Sequence, residues 1–385
     1  MSADEPVATD DLLAAFDRQI RGCELLGSPW TAAVLRVLRE DIAAGGPVRG
    51  LFADYTLPPH PSAAALRVAG GLNVLAAEDP QSSALVLGDL HPSRRRDGHQ
   101  DPRFATAVLD AVRAGGALLG DFLSRPVQTN EVHRSGALVP GLLEIAGRID
   151  LPLDLFEIGS SGGLNLLCDR FHYRLGDRSL APEEAGAGSV VRIEPAWSGA
   201  PCPDAAPLRV RNRSGVDPTP LDLRDPTVAR RGRAYVWPDQ AQRLANFDAA
   251  VELLGRSDVH VETGNAARWL PAELPVRAPG ACAVVLHSIM WQYMPPEDRS
   301  AVEAAIREEG GRATSERPLA WLRFEPRRDA LSCELTLDLW PRAPDAGRER
   351  LAWTHPHGTR VHWLAPASPD RFARAGPFQE DRPLA

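Results

Sequence analysis

The chain has 385 residues, 44% of them hydrophobic and 24% charged, with a formal net charge of −8. That is an ordinary composition for a globular protein, long enough for two or three domains. The acidic balance lacks the basic footprint that phosphate neutralisation favours, and no apolar run approaches the ~20 residues of a membrane-spanning helix.

Nucleic acid and membrane are therefore not expected partners, and the basic stretch "PSRRRDG" (92–98) reads as a solvated loop. All 43 cationic side chains are Arg. The absence of Lys removes the Walker A phosphate loop, the kinase lysine and the pyridoxal phosphate Schiff base. The acidic start "MSADEPVATDDLL" lacks the apolar core of an export signal. The five cysteines, Cys23, Cys168, Cys202, Cys282 and Cys333, are dispersed with no C-x-x-C pair. Such a set suits a reducing compartment rather than a disulfide framework or structural zinc, so the expected location is the cytoplasm and no metal is expected.

Residues 1–150 read mainly as helices. Trp30, Val34, Val37, Leu38 and Ile42 recur at helical spacing, and 62–77, 103–123 and 136–149 are further helical stretches punctuated by Pro and Gly. From 151 the pattern changes to strands alternating with helices: strands at 151–158, 189–195, 259–265, 281–288 and 319–325, with helices at 240–254 and after 295. A polar, Pro-rich insertion spans about 196–238. Stretches 331–341, 349–355 and 359–365 lack intervening helices and read as an antiparallel end. The expected fold is α/β: a helical region over 1–150, a mostly parallel sheet over 151–365 with antiparallel C-terminal strands, and a tail at 366–385.

The stretch "LFEIGSSGGLNL" (155–166) turns from the first strand through glycines into an apolar run. Read as G-x-S-x-G it is a hydrolase elbow with Ser161 as nucleophile. An elbow needs strands before it and oxyanion donors upstream, where this chain offers helices. A first-strand cofactor loop is the better reading, since glycine permits unusual backbone angles and close approach, and a following helix offers unpaired N–H groups. Leu164 stands where a dinucleotide fingerprint wants glycine. Glu157-Ile158-Gly159-x-Ser161-x-Gly163 instead resembles the first motif of class I S-adenosylmethionine-dependent methyltransferases.

That resemblance implies further site residues. Glu194, ending the second strand, takes the place of the ribose-binding acid. Gly264-Asn265-Ala266 stands after the third strand where such enzymes often carry Gly-Asp-Ala beside the adenine. The cofactor set is then Glu157, Gly159, Ser161, Gly163, Glu194, Asn265, Ala266, His287 and Ser288. His287, with Ser288 at the end of the fourth strand, is read as a base at the reaction centre, with Tyr293 and Asp239 as further catalytic candidates. Gln128, Asn130, Glu131 and Arg134 of "QTNEVHR" are expected to form a polar lip over the cofactor's amino-acid end, holding its carboxylate or the substrate, with Trp237 and Gln292 as further substrate candidates. Each has a plainer reading: a capped helix start for "QTNEVHR", an N-cap for Asp239, core packing for Trp237, a structural histidine for His287. Arg211, Arg213 and Asp217 in the insertion either meet an anionic substrate or decorate a lid. His355 and His357 share a strand face without an identifiable third metal ligand.

The motifs "QTNEVHRSGALVPGLL", "FEIGSSGGLNLLCDRFHYR", "VRIEPAWSG", "VWPDQAQRL", "HSIMWQYMPPEDR" and "THPHG" together resemble an uncharacterised, mainly actinobacterial family catalogued as a domain of unknown function (DUF2332-like), from about residue 15 to 365. The resemblance implies a Rossmann-like domain behind a helical region and delivers no activity. The expected activity is a small-molecule enzyme using S-adenosylmethionine, with methyl transfer the default reaction and aminocarboxypropyl transfer or cyclisation as variants. A serine hydrolase through Ser161 and a non-catalytic binding protein are the alternatives.

Overall fold

Helical spacing of apolar side chains shapes the first part of the chain, and short apolar runs shape the rest. The computed structural model describes residues 6–78, 85–182, 190–204, 208–327, 332–341 and 347–364; the expected tail at 366–385 lies outside them. The chain opens with α1 (Thr9–Leu25), α2 (Pro29–Ala43), α3 (Pro47–Gly50), α4 (Ala64–Glu78), α5 (Leu85–Leu90), α6 (Phe104–Ala114), α7 (Gly116–Ser124) and α8 (Ser135–Arg148). Strands β1 (Leu153–Ile158), β2 (His172–Leu175), β3 (Arg178–Leu180), β4 (Arg192–Ile193), β5 (Ala196–Gly199) and β6 (Val210–Asp217) follow. Then come α9 (Pro226–Ala234), α10 (Ala241–Gly255), β7 (Val261–Thr263), α11 (Ala266–Val276), β8 (Cys282–Ser288) and α12 (Pro296–Gly311). The chain closes with β9 (Leu319–Pro326), β10 (Cys333–Trp340), β11 (Glu349–Thr354) and β12 (Arg360–Trp363). No helix among the described residues is long and apolar enough to cross a membrane.

The chain divides into two compact units. The helical unit comprises Met1–Val132, Ala187–Val191 and Leu221–Asp258, so α9 and α10 belong with α1–α7. Trp30, Val34, Leu38 and Ile42 of α2 are buried and Val37 half-buried, one face at a spacing of about four residues. They share a core with Phe16, Phe52, Leu72 and Val108. Pro29 opens α2, and its exposed N–H groups are met from far along the chain: Asp239 Oδ2 accepts from the Trp30 N–H at 2.9 Å.

The second unit holds a nine-stranded sheet in the order β5-β12-β11-β10-β9-β8-β1-β6-β7. From β9 to β7 every neighbouring pair is parallel, while β9 to β12 form an antiparallel meander. Strands β1 and β8 are buried along their whole length, as strands covered on both faces must be. Leu322 and Leu335 face α8, which approaches so closely that a Cβ on Gly141 would lie 2.8 Å from Leu322. Trp321 and Trp340 point the other way, into a core with Val302 and Ile306 of α12. The protein is thus mixed α/β with a large, mostly parallel central sheet.

Several strands differ from the sequence reading: β2, β3 and β5 are additional, and β4 and β6 change the place of the site. Val210–Asp217, inside the expected insertion, is β6 and pairs directly with β1. The expected second strand reduces to β4, in a separate three-stranded sheet of order β3-β2-β4. "VRNRSGVD" carries no apolar run because its first half is exposed or half-buried and its Arg211 and Arg213 are paired with Asp154 and Asp169.

Candidate functional site

In chain order the parallel strands β1, β6, β7, β8 and β9 are arranged third-second-first-fourth-fifth across the sheet, the doubly wound order. The connections reverse direction between β1 and β8, and open α/β sheets bind ligands outside the carboxyl ends of strands at such a switch point. The 159–163 loop leaves β1 there, and Ile289–Trp291 leaves β8.

The loop is built from the backbone outward. Gly159 N and Ser160 N both donate to the Val216 carbonyl, at 2.9 and 3.2 Å, and Ser160 Oγ donates back to the Glu157 carbonyl at 2.6 Å. Gly159 and Gly163 have φ of +68° and +78°, where a side chain is strained. A Cβ on Gly159 would lie 2.9 Å from the Met290 side chain, and one on Gly163 would lie 2.9 Å from Val261. The fold itself therefore requires both glycines. The run after the loop is a seven-residue 3-10 helix, Leu164–Arg170, rather than an α-helix, and its Leu166 carbonyl accepts from Arg213 Nε at 3.0 Å. The expected helix N-terminus is thus no anchor for a ligand.

Asp217, at the carboxyl end of β6, joins three segments. Its Oδ2 accepts from the Ser161 N–H at 3.0 Å, its Oδ1 from Thr219 N at 2.9 Å, and its carbonyl from Gly264 N at 3.0 Å. Glu157 is fully buried nearby, and among the described residues its Oε2 has no hydrogen-bond partner; neither has Ser161 Oγ. Burial pushes the Glu157 carboxyl up to about 8, the Asp217 charge adds to the shift and Arg134 opposes it. Ser161 and Ile289 both adopt positive φ, +53° and +51°, the second a conformation that β-branched residues rarely accept. Backbone strain of this kind collects at functional sites. Arg134 donates to the Ser288 carbonyl at 3.0 Å and to Ser288 Oγ at 3.4 Å, so these two expected residues do meet.

Glu194 is a correction. It follows β4 outside the nine-stranded sheet, is exposed, and faces Arg174 at 3.6 Å. The acid ending the strand beside β1 is Asp217, which the sequence alone leaves open between contact with an anionic substrate and a place on a lid. Asn265 does follow β7, as expected, and caps α11: Oδ1 accepts from Ala267 N at 2.7 Å and Nδ2 donates to Asp298 at 2.8 Å. Ala266 is buried in the first turn of that helix.

His287 is wholly buried. Its register partner is Arg323, which places it on the α12 side of the sheet with Trp321, whereas Glu157 pairs with Leu286 and points to the α8 side. The ring lies nearly flat on Trp291, centroids 5.1 Å apart, and its Nδ1 meets Glu325 Oε1 at 2.7 Å. The same carboxylate oxygen accepts from the Met290 and Trp291 N–H groups at 3.2 and 3.4 Å. Glu325, which the sequence reading missed, thereby fixes both the histidine and the turn that lays Met290 on Gly159. His287 Nε2 has no partner among the described residues. Gln292 and Tyr293 follow on an exposed 3-10 turn, Tyr293 with 71% of its surface accessible.

The remaining expected site residues have structural work. Gln128, Asn130, Glu131, Trp237 and Asp239 belong to the helical unit, while Arg134 belongs to the sheet unit. Glu131 forms a buried ion pair with Arg243, whose guanidinium lies 5.7 Å from the Trp237 ring. Asn130 is buried and Gln128 half-buried. Asp239, expected to be catalytic, instead tethers Ser28 and the start of α2, an anchoring that its position before α10 conceals. Arg211 pairs with Asp154, and Arg213 with Asp169 at 2.5 Å, so neither reaches out for an anionic substrate. His355 and His357 pack edge to face at 5.3 Å, and among the described residues no group of acidic, His or Cys side chains is arranged to hold a metal.

The sheet, with its switch point between β1 and β8, defines a mixed α/β protein built on a mostly parallel central sheet. A family model described as "Uncharacterized protein conserved in bacteria (DUF2332)" matches residues 13–363, and the chain belongs to that family. Comparison with curated proteins and with solved structures returned no match.

Proposed function

We infer that the sheet unit binds S-adenosylmethionine, or a closely related adenosyl cation, at the carboxyl ends of β1, β6 and β8, and acts on a small molecule, with methyl transfer the default reaction. The observation that carries this reading is the pairing of a buried, unpartnered Glu157 Oε2 with Asp217 at a doubly wound switch point. Two carboxyl groups in one crevice suit a ligand that combines positive charge with hydroxyl donors. A bound cation would draw Glu157 into its ionised form. When bound, the sulfonium supplies an electrophilic methyl group. The chain's own residues would hold the charge at Glu157, orient the loop through Asp217, and shape the approach through the Met290 turn.

Isothermal titration of the full chain with S-adenosylmethionine tests the reading. Saturable binding lost on Asp217→Ala, in a protein that still melts cooperatively, is the expected result. A folded wild type that takes up no ligand overturns it.

The hydrolase reading keeps one supporting observation, the positive φ of Ser161 with an unpartnered Oγ. Against it, β1 is the first strand among the described residues, with only helices before it.

A further inference from the structure

Glu325 stands near the end of β9, and strand alternation puts it with Trp321 and Arg323 on the α12 face of the sheet. Glu157 points to the opposite, α8 face. We propose that Glu325 is nevertheless a positioning residue for the crevice, acting around the sheet edge through Met290 on the glycine loop. The part that concerns ligand affinity rests on the reading that the crevice binds an adenosyl cation; the part that concerns the loop does not.

The argument starts from a single oxygen. Glu325 Oε1 gathers three donors: His287 Nδ1 at 2.7 Å, the Met290 N–H at 3.2 Å and the Trp291 N–H at 3.4 Å. The two backbone groups converge because Ile289, at φ +51°, turns the chain through the left-handed region just before them. Successive N–H groups around such a turn form a concavity that suits an anion, and here the carboxylate fills it. Ile289 N also donates to the Phe324 carbonyl at 2.9 Å, so β9 grips the turn by backbone and side chain together. A β-branched residue is strained at positive φ, and such a conformation persists only where its surroundings impose it. Glu325 is the group that imposes it.

Met290 carries this constraint to the loop. Its side chain lies across Gly159, where a Cβ would come within 2.9 Å of Met290 Cβ and Cγ and 3.2 Å of Cε. Hydrogen bonds from Gly159 N and Ser161 N tie the loop to Val216 and Asp217 of β6, and Met290 bears on it from the β8 side. Without the carboxylate, the turn loses its shared acceptor, Ile289 relaxes toward negative φ and Met290 leaves Gly159. A residue that merely buttresses the core would weaken the sheet evenly. A positioning residue loosens the loop selectively, and its effect runs through Met290.

Two measurements on the full chain test this: hydrogen exchange, read by mass spectrometry on the peptide spanning 157–163, and calorimetric titration with S-adenosylmethionine. Glu325→Ala should speed exchange in that peptide by about tenfold or more and weaken binding by a similar factor, as loss of a charge-assisted hydrogen bond predicts. Met290→Ala should do the same with Glu325 intact. The double variant should be no worse than the more affected single one, because residues acting along one path are not additive. Glu325→Gln keeps an oxygen acceptor in place and should recover most of both readouts, though it melts lower. Leu335→Ala, a buried change on β10 facing α8, should lower melting and leave exchange of the peptide unaltered. Wild-type exchange in Glu325→Ala, additive losses in the double variant, or equal loosening in Leu335→Ala overturns the proposal. A wild type that takes up no ligand overturns the adenosyl reading alone, since exchange still decides whether Glu325 sets the loop. Should Glu325→Ala fail to fold, wild-type exchange in Met290→Ala overturns the proposal by itself.

Discussion

Glu157 and His287 end adjacent parallel strands, yet the register sends their side chains to opposite faces of the sheet. The pair therefore divides the carboxyl edge into two environments. Glu157 looks onto the loop that Asp217 holds, and His287 is sealed against Trp291 and Trp321.

This division sets what His287→Ala should do. The ring fills a buried aromatic stack and gives Glu325 a partner, so its loss should lower stability by about 2–4 kcal/mol, seen as a fall in melting temperature. Glu325→Gln should mimic part of that fall, because the turn carrying Met290 loses its charged acceptor. Unchanged melting with turnover lowered by ~10²-fold or more would instead make His287 a proton-transfer group.

Asp217 and Glu194 make a paired test. Asp217→Asn should weaken S-adenosylmethionine binding by about tenfold to a hundredfold, since charge-assisted hydrogen bonds are worth roughly 1.5–3 kcal/mol. Glu194→Ala, on an exposed pair with Arg174, should leave affinity and melting unchanged. Calorimetry on the two variants side by side reads the difference, and the opposite pattern would return the ribose contact to Glu194.

Glu157 should shape the dependence of stability on pH. Its carboxyl titrates near 8 in the folded chain and near 4.5 when unfolded, so between those values the native state binds the extra proton. Stability attributable to this group is whole below about pH 4.5 and is lost as pH rises through 8. Glu157→Gln, permanently neutral, should remove that loss and melt higher than the wild type at pH 8. Parallel denaturation curves at pH 5.5 and 8 for both proteins check the sign.

Ser161→Gly should leave cofactor binding intact and stabilise the chain by up to about 1 kcal/mol, because glycine relieves the positive φ. A serine-directed phosphonate should label neither form. Labelling of the wild type that Ser161→Gly abolishes would establish the elbow instead.

In the helical unit, breaking the buried Glu131–Arg243 pair from one side should be severe. Glu131→Gln leaves the guanidinium charge under Trp237 and should cost about 3–5 kcal/mol in chemical denaturation. Replacing both residues with apolar ones of similar volume should recover much of that loss.

Much of the scaffold was legible from local pattern. β1, β8 and β9 announce themselves because a strand covered on both faces must be apolar throughout, and α2 because one face must be. The glycine loop was legible too, since positive φ demands glycine at 159 and 163. β6 was not, because the charges of Arg211 and Arg213 are neutralised by Asp154 and Asp169, more than forty residues away in sequence. Missing β6 moved the second-strand acid from Asp217 to Glu194. Asp239 reads as a site residue for a similar reason: nothing near it in sequence reveals Ser28. The amino-acid order thus determined where strands and helices begin, through burial periodicity and backbone angles. Strand neighbours, and the sheet face onto which each side chain turns, were decided only by tertiary pairing, since hydrogen bonds between distant strands leave no mark on local sequence.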